Sequence, residues 1–159
     1  MNAFLEDEAI GRKKLKQLFE TSPKISKYEF AEHEFDKVDA FSTGETGRCT
    51  YEIKNRNILS TKYDTYLLEL DKYNALMYEY TEEGYTPYYV NFFSDGICLM
   101  WDVSKIDIED RVETKYCTNK TAENYKRGEK QKKVILLKPE EGNRFRYDQT
   151  RNNRGISKE

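Results

Sequence analysis

The sequence predicts an α+β domain, a mixed β-sheet with helices packed against it. Three observations carry that prediction. Residues 3–20 and about 65–81 place apolar side chains at helical spacing, several shorter runs alternate like strands, and "YYVNFFSDGICLMWDV" reads as a hairpin.

In chain order, the first helix carries the stripe Ala9, Leu15, Leu18 and Phe19, with bases crowding its second half, and "TSP" at 21–23 stops it. "KISKYEF" and "HEFDKVDAF" alternate well enough for two strands. "STGETG" at 42–47 reads as a hairpin turn into a third strand, "RCTYEIKNR". A polar connector, "NILSTKYD", leads to the second helix, from about Thr65 to Thr81, where Tyr66, Leu70, Tyr73, Met77 and Tyr80 recur at spacings of four and three. "EEGYTP" ends it. In the hairpin that follows, Ser94-Asp95-Gly96 separates two apolar runs, and Asp-Gly accepts the left-handed geometry of a tight turn. A basic stretch, "CTNKTAENYKRGEKQ", reads as partly loop and precedes a last strand, "KVILL". The expected organisation is one domain over residues 1–147 and a flexible polar tail over 148–159.

Composition excludes several classes. Of 159 residues, 37% are apolar and 35% charged, and 13 Tyr, 8 Phe and one Trp supply large amphipathic packing units, so the chain is not disordered. No apolar run approaches the length of a membrane span, and "MNAFLEDEAI" has acids where a secretion signal has bases. Cys49, Cys98 and Cys117 are odd in number, far apart and without CxxC spacing. They read as reduced thiols of a cytoplasmic compartment, with neither a disulfide framework nor a zinc site. His33, the lone histidine, reads as a polar surface residue, and there is no Walker loop or dinucleotide fingerprint.

Net charge is only −2, but its distribution is uneven. Glu29, Glu32, Glu34, Asp36, Asp39 and Glu45 face a single base, Lys37, between residues 29 and 45. Between Arg111 and Lys138 the bases predominate. Within that stretch Lys120, Lys126, Arg127, Lys130, Lys132 and Lys133 suit a loop lying along a polyanionic backbone, an electrostatic contact that weakens with salt. Two solvated surfaces of opposite sign are the plainer alternative.

The chemistry concentrates at Asp36, Asp39, Glu52 and Lys54. A strand displays alternate side chains on one face about 7 Å apart, so Glu52 and Lys54 project together while Tyr51, Ile53 and Asn55 face the other way. An aspartate on the preceding strand then lies within cation-bridging distance of Glu52. Hydrolysis of a phosphodiester needs charge neutralised on the phosphoryl oxygens, a water made nucleophilic and a leaving oxygen stabilised. Carboxylates holding Mg²⁺ or Mn²⁺ with open positions meet all three needs, and a lysine supplies a compact, movable charge for the water or phosphate. Glu-x-Lys alone is unspecific: it recurs at Glu113-Thr114-Lys115, but there without an aspartate-bearing strand before it.

A helix, a strand, "FDKVDAF", a hairpin, "YEIKNR", a helix and a further strand resemble the PD-(D/E)xK nuclease superfamily over roughly residues 3–93. The resemblance implies a restriction-endonuclease-like αβββαβ core, here with a C-terminal β-hairpin extension, and metal-dependent cleavage of DNA, less often RNA. It implies Glu52 as a metal ligand and Lys54 as the lysine that positions water. "FDKVD" is similar to the "iDRiD" pattern of some members, which favours Asp36; the shorter spacing to Glu52 and the following "AF" favour Asp39. The two face opposite ways on an ideal strand, so one of them is the implied ligand, with Asp36 slightly favoured. No proline precedes either aspartate, a departure from the family pattern.

Accessory candidates are Glu8 on the first helix, with Glu6 and Glu20 competing, and Glu69 and Lys72, which share a face of the second helix and equally suit an ordinary helical ion pair. Arg56, Lys62 and Tyr63 follow the Glu52 strand and suit phosphates flanking a cut. With no base-reading motif, the expected enzyme is a structure-selective or weakly sequence-specific endonuclease, alone or as a homodimer, in a bacterial or phage-infected cell. The rival readings are a catalytically inactive nucleic-acid-binding or phage/bacterial assembly module of the same fold, and a protein-binding domain with an aromatic surface.

Overall fold

A computed structural model describes residues 3–32, 37–118 and 129–147. The elements, in chain order, are α1 (Ala3–Thr21), β1 (Ile25–Phe30), β2 (Ala40–Gly44), β3 (Gly47–Asn55), β4 (Tyr66–Glu69), α2 (Leu70–Glu83), β5 (Thr86–Phe92), β6 (Ile97–Asp102), β7 (Val112–Thr118), β8 (Glu129–Leu137) and β9 (Asn143–Arg146). The fold is mixed α+β. Six strands form one sheet in the order β1-β2-β3-β5-β6-β9, and β4-β8-β7 form a second, antiparallel one. Among the described strands only β3 and β5 run parallel; the chain between them passes through β4 and α2.

The large sheet is covered on both faces. On one side α1 packs Leu15 and Phe19 against Ala40, Cys49, Tyr51, Val90, Phe92, Cys98 and Tyr147. The helix sits close because Gly11 lies over Ile53: a Cβ at Gly11 would stand 2.9 Å from Ile53 Cγ2. On the other side, Tyr89, Leu99 and Trp101 meet Leu76 of α2 and Tyr66, Leu68, Ile135 and Leu137 of the small sheet. Trp101 is fully buried; its ring stacks on Tyr89 and its Nε1–H donates to the Lys138 carbonyl at 2.9 Å. Indole burial with a satisfied N–H makes it the anchor of this layer.

Several expectations change. The second strand does not span "HEFDKVDAF". Residues 37–39 are bends and β2 begins at Ala40, running through the Ser-Thr-Gly that had read as the turn; the hairpin closes at Glu45-Thr46. The alternation that set Asp36 and Asp39 on opposite faces therefore has no strand to act on between 37 and 39. The second helix starts at Leu70. Tyr66 and Leu68 lie in β4 instead, buried against β8, because alternate burial in a ladder outweighs the helical spacing of Tyr66 to Leu70 and Tyr73. Only Leu76 of α2 is fully buried, and Tyr80 of the expected stripe is exposed; Gly84 ends the helix at φ 79°. The C-terminal portion exceeds a hairpin extension: β6 and β9 widen the large sheet while β7 and β8 build the small one. The basic stretch, expected to be partly loop, opens within β7 and closes within β8.

The β5–β6 hairpin forms as expected. Tyr147, the last described residue, is buried and its hydroxyl donates to the Phe93 carbonyl at 2.7 Å. Cys49 and Cys98 are buried free thiols; the side chain of Cys117, His33 and the tail 148–159 lie outside the described residues. Among the described residues no helix is long and apolar enough to cross a membrane.

Candidate active site

Glu52 lies near the middle of β3, between β2 and β5, and is only 8% exposed. Its neighbours on β3 divide as the strand period demands. Tyr51 joins the α1 face, Asn55 accepts from Lys14 Nζ of α1 at 2.8 Å, and Glu52 turns toward α2. There Lys72 Nζ stands 3.6 Å from Glu52 Oε2. Burial alone would lower the Lys72 pKa, but Glu52, Asp39, Glu69 and Asp71 outweigh it and hold the ammonium above its ordinary value. Lys54, two residues beyond Glu52, is exposed.

Asp39 is fixed beside Glu52 by an irregular entry into β2. Its N–H donates to the Tyr51 carbonyl at 2.9 Å, its carbonyl accepts from Ala31 N–H at 2.9 Å, and its Oδ2 accepts the Ile53 N–H at 2.9 Å. The carboxylate thus grips the amide next to Glu52, and Lys72 lies in the field of both acids. Asp39 Oδ1 faces Arg12 of α1 at 4.0 Å, and Arg12 also donates to the Ala31 carbonyl at 2.8 Å. Asp36 lies outside the described residues.

Two ion pairs among the described residues tie helices to the large sheet, Arg12 of α1 with Asp39 and Lys72 of α2 with Glu52; a third, Lys132 of β8 with Glu69 of β4 at 3.2 Å, lies within the small sheet. Of the two residues expected on one helical face, Glu69 closes β4 and pairs with Lys132, while Lys72 of α2 meets Glu52 and stays in the field of Glu69. Lys132, expected on a nucleic-acid-binding loop, is in β8 and committed to this contact. Lys133 is exposed; the side chain of Lys130, together with Lys120, Lys126 and Arg127, lies outside the described residues.

Other candidates separate. Glu8 is exposed, and the α1 acid that reaches the end of β3 is Asp7, which accepts from Asn57 at 3.0 Å. Glu6 is also exposed, while Glu20 accepts from the Tyr28 hydroxyl at 2.6 Å. Arg56 does not face solvent: its guanidinium donates to Asn91 Oδ1 at 2.5 Å, the Leu67 carbonyl at 3.1 Å and the Tyr89 hydroxyl at 3.1 Å, and lies over the Tyr66 ring. It joins β3, β4 and β5 within the fold. Lys62 and Tyr63 are exposed together, the ammonium 5.7 Å from the ring centroid.

Sequence reasoning missed Arg12 and the partner of Lys72. Both were legible as helix geometry: Arg12 precedes the buried Leu15 by three residues and Lys72 precedes the buried Leu76 by four, so each base shares its helix's sheet-facing stripe.

Among the described residues no three His, Cys, Asp or Glu side chains converge as a ready cation cage. A magnesium-type site does not need one, since this ion keeps several waters and takes one or two carboxylates plus substrate oxygens. Asp39 and Glu52 meet that minimum, and a nearly buried carboxylate drawing an ammonium from another layer marks a position that demands positive charge. An apolar cavity of about 330 Å³ lies on the α1 face, lined by Leu15, Phe19, Tyr51, Tyr88, Met100 and Phe145, and contains none of these charged groups. No protein-family model, curated protein or solved structure matches the chain.

Proposed function

We propose that the chain is a Mg²⁺- or Mn²⁺-dependent nuclease hydrolysing phosphodiester bonds of DNA, in preference to RNA. The observation that carries this reading is the nearly buried Glu52 facing the Lys72 ammonium at 3.6 Å, with the Asp39 carboxylate held on the adjacent Ile53 amide. The order α1-β1-β2-β3-α2-β5, with β3 parallel to β5, supports an αβββαβ nuclease core into which β4 is inserted ahead of α2.

In this reading Glu52 and Asp39 hold the cation, which supplies charge neutralisation at the phosphate and a water of lowered pKa. Lys54, exposed at the end of β3, orients the attacking water, and the exposed Lys62 and Tyr63 contact the backbone of the flanking strand. Asp39 is preferred over Asp36 because its carboxylate is held at the Ile53 amide. The absence of a base-reading element supports weak sequence preference.

Incubation of supercoiled, linear and single-stranded DNA with Mg²⁺ or Mn²⁺ tests the reading. Glu52→Gln and Lys54→Ala are expected to lose at least about 100-fold in cleavage while their melting curves stay cooperative. Asp36→Asn and Asp39→Asn decide which aspartate serves. Cleavage undiminished in both the Glu52 and Lys54 variants contradicts the assignment, and DNA binding without cleavage in the unaltered protein favours the inactive binding module.

A further inference from the structure

We propose that Lys72 is a resident counter-ion of Glu52 that the divalent cation displaces, so that this lysine sets the metal affinity of the site. The inference rests on the metal-site reading above and adds a role for α2.

Glu52 is nearly buried, its side chain 10% exposed, and Lys72 meets it at 3.6 Å while remaining 31% exposed. The two ends of the pair are therefore unequal. The carboxylate is fixed on a central strand, whereas the ammonium ends a flexible four-carbon stem with solvent to move into. Lys72 is anchored by the stripe it shares with Leu76, and the surrounding charges that face it are Asp39, Glu69 and Asp71. Glu69 is already paired with Lys132, and Asp39 lies at the edge of Arg12. A divalent ion bound by Asp39 and Glu52 occupies the field that now holds the ammonium, and two cations on the same carboxylates weaken one another reciprocally. Displaced by the ion, Lys72 remains on the α2 side of the site as a free ammonium, available to a phosphate oxygen of the substrate. Without metal the same lysine keeps the buried acid neutralised.

The test is calorimetric titration of Mn²⁺ into the metal-free protein and its variants, with melting curves to check folding. Lys72→Met is expected to bind Mn²⁺ about tenfold tighter than the unaltered protein, equivalent to about 1.4 kcal/mol, yet to cleave DNA more slowly. Lys72→Gln supplies the same charge removal should the methionine variant fold poorly. Lys72→Arg and Lys54→Met are expected to stay within about twofold of the original affinity. Equal or weaker Mn²⁺ binding by folded Lys72→Met and Lys72→Gln overturns the counter-ion role alone, provided Glu52→Gln abolishes binding. Mn²⁺ binding that survives Glu52→Gln, or none in the unaltered protein, overturns the metal site and this role together.

Discussion

Replacing Glu52 by glutamine distinguishes an acid kept for chemistry from one kept for structure. The Coulomb attraction between unit charges about 4 Å apart is worth about 4 kcal/mol at an effective dielectric constant near 20. At 3.6 Å, with Lys72 31% exposed, the Glu52–Lys72 attraction is screened below that value. Desolvating a nearly buried carboxylate costs several kcal/mol in the opposite direction. The two nearly cancel, so Glu52→Gln, which keeps shape and leaves a hydratable lysine, should change metal-free stability by no more than about 1 kcal/mol. For a domain of this size that is a melting shift within roughly 4 °C. Metal separates the proteins. At a cation concentration 100 times the dissociation constant, binding stabilises by about 2.7 kcal/mol, raising the melting temperature of the unaltered protein by roughly 5–10 °C and that of Glu52→Gln hardly at all. Circular dichroism melts with and without Mn²⁺ give both numbers. A metal-free loss above about 3 kcal/mol, the signature of a broken structural ion pair, with equal metal responses in the two proteins, would refute the reasoning.

Other consequences follow from the same geometry. Arg56→Ala removes a guanidinium shared by Asn91, Leu67 and Tyr89, and should destabilise the fold by about 2–3 kcal/mol in urea titrations while leaving the salt dependence of DNA binding unchanged. Trp101→Ala opens a large cavity and orphans the Lys138 carbonyl, at a cost of about 3–5 kcal/mol; Trp101→Phe should cost less, both read by circular dichroism because the chain's single Trp is lost. Glu141 is held at a pKa of about 2, first by hydrogen bonds from Arg111 and also by the Lys138 amide. A carboxylate depressed in the folded state contributes stability above its ordinary pKa, and that contribution is lost as the pH falls from about 4.5 toward 2. In acid titrations Glu141→Gln should therefore differ from the unaltered protein by on the order of 1–2 kcal/mol at neutral pH and converge with it near pH 2.

The parts of the fold legible in the sequence are those set by local pattern: α1 with its Leu15/Phe19 stripe, the Cys49–Asn55 strand, and the hairpin around Ser94-Asp95-Gly96. The parts that were not legible are set by distant partners. Tyr66 and Leu68 belong to a strand because β8 pairs with them, although the spacing of Tyr66 to Leu70 and Tyr73 is equally helical. β2 runs through Ser42, Thr43 and Gly44, a Gly-ended segment that reads as a turn, because β1 and β3 flank it on both sides. β9 is a polar edge strand with Phe145 as its one large apolar residue, so it carries little pattern to read. At the site, strand alternation was enough to turn Glu52 away from Tyr51, and the spacing to Leu76 turns Lys72 toward the sheet, but which acid it meets there depends on the β3–α2–β5 crossover. Arg56 likewise looked like a surface base because its three acceptors come from remote segments.

The most direct test of the metal-site account is a crystal soaked in Mn²⁺, with anomalous scattering used to locate the ion. The account predicts one Mn²⁺ bonded to carboxylate oxygens of both Asp39 and Glu52, with Lys72 Nζ withdrawn from Glu52. Carboxylates still engaged by Arg12 and Lys72, with no ion between them at saturating Mn²⁺, would contradict it.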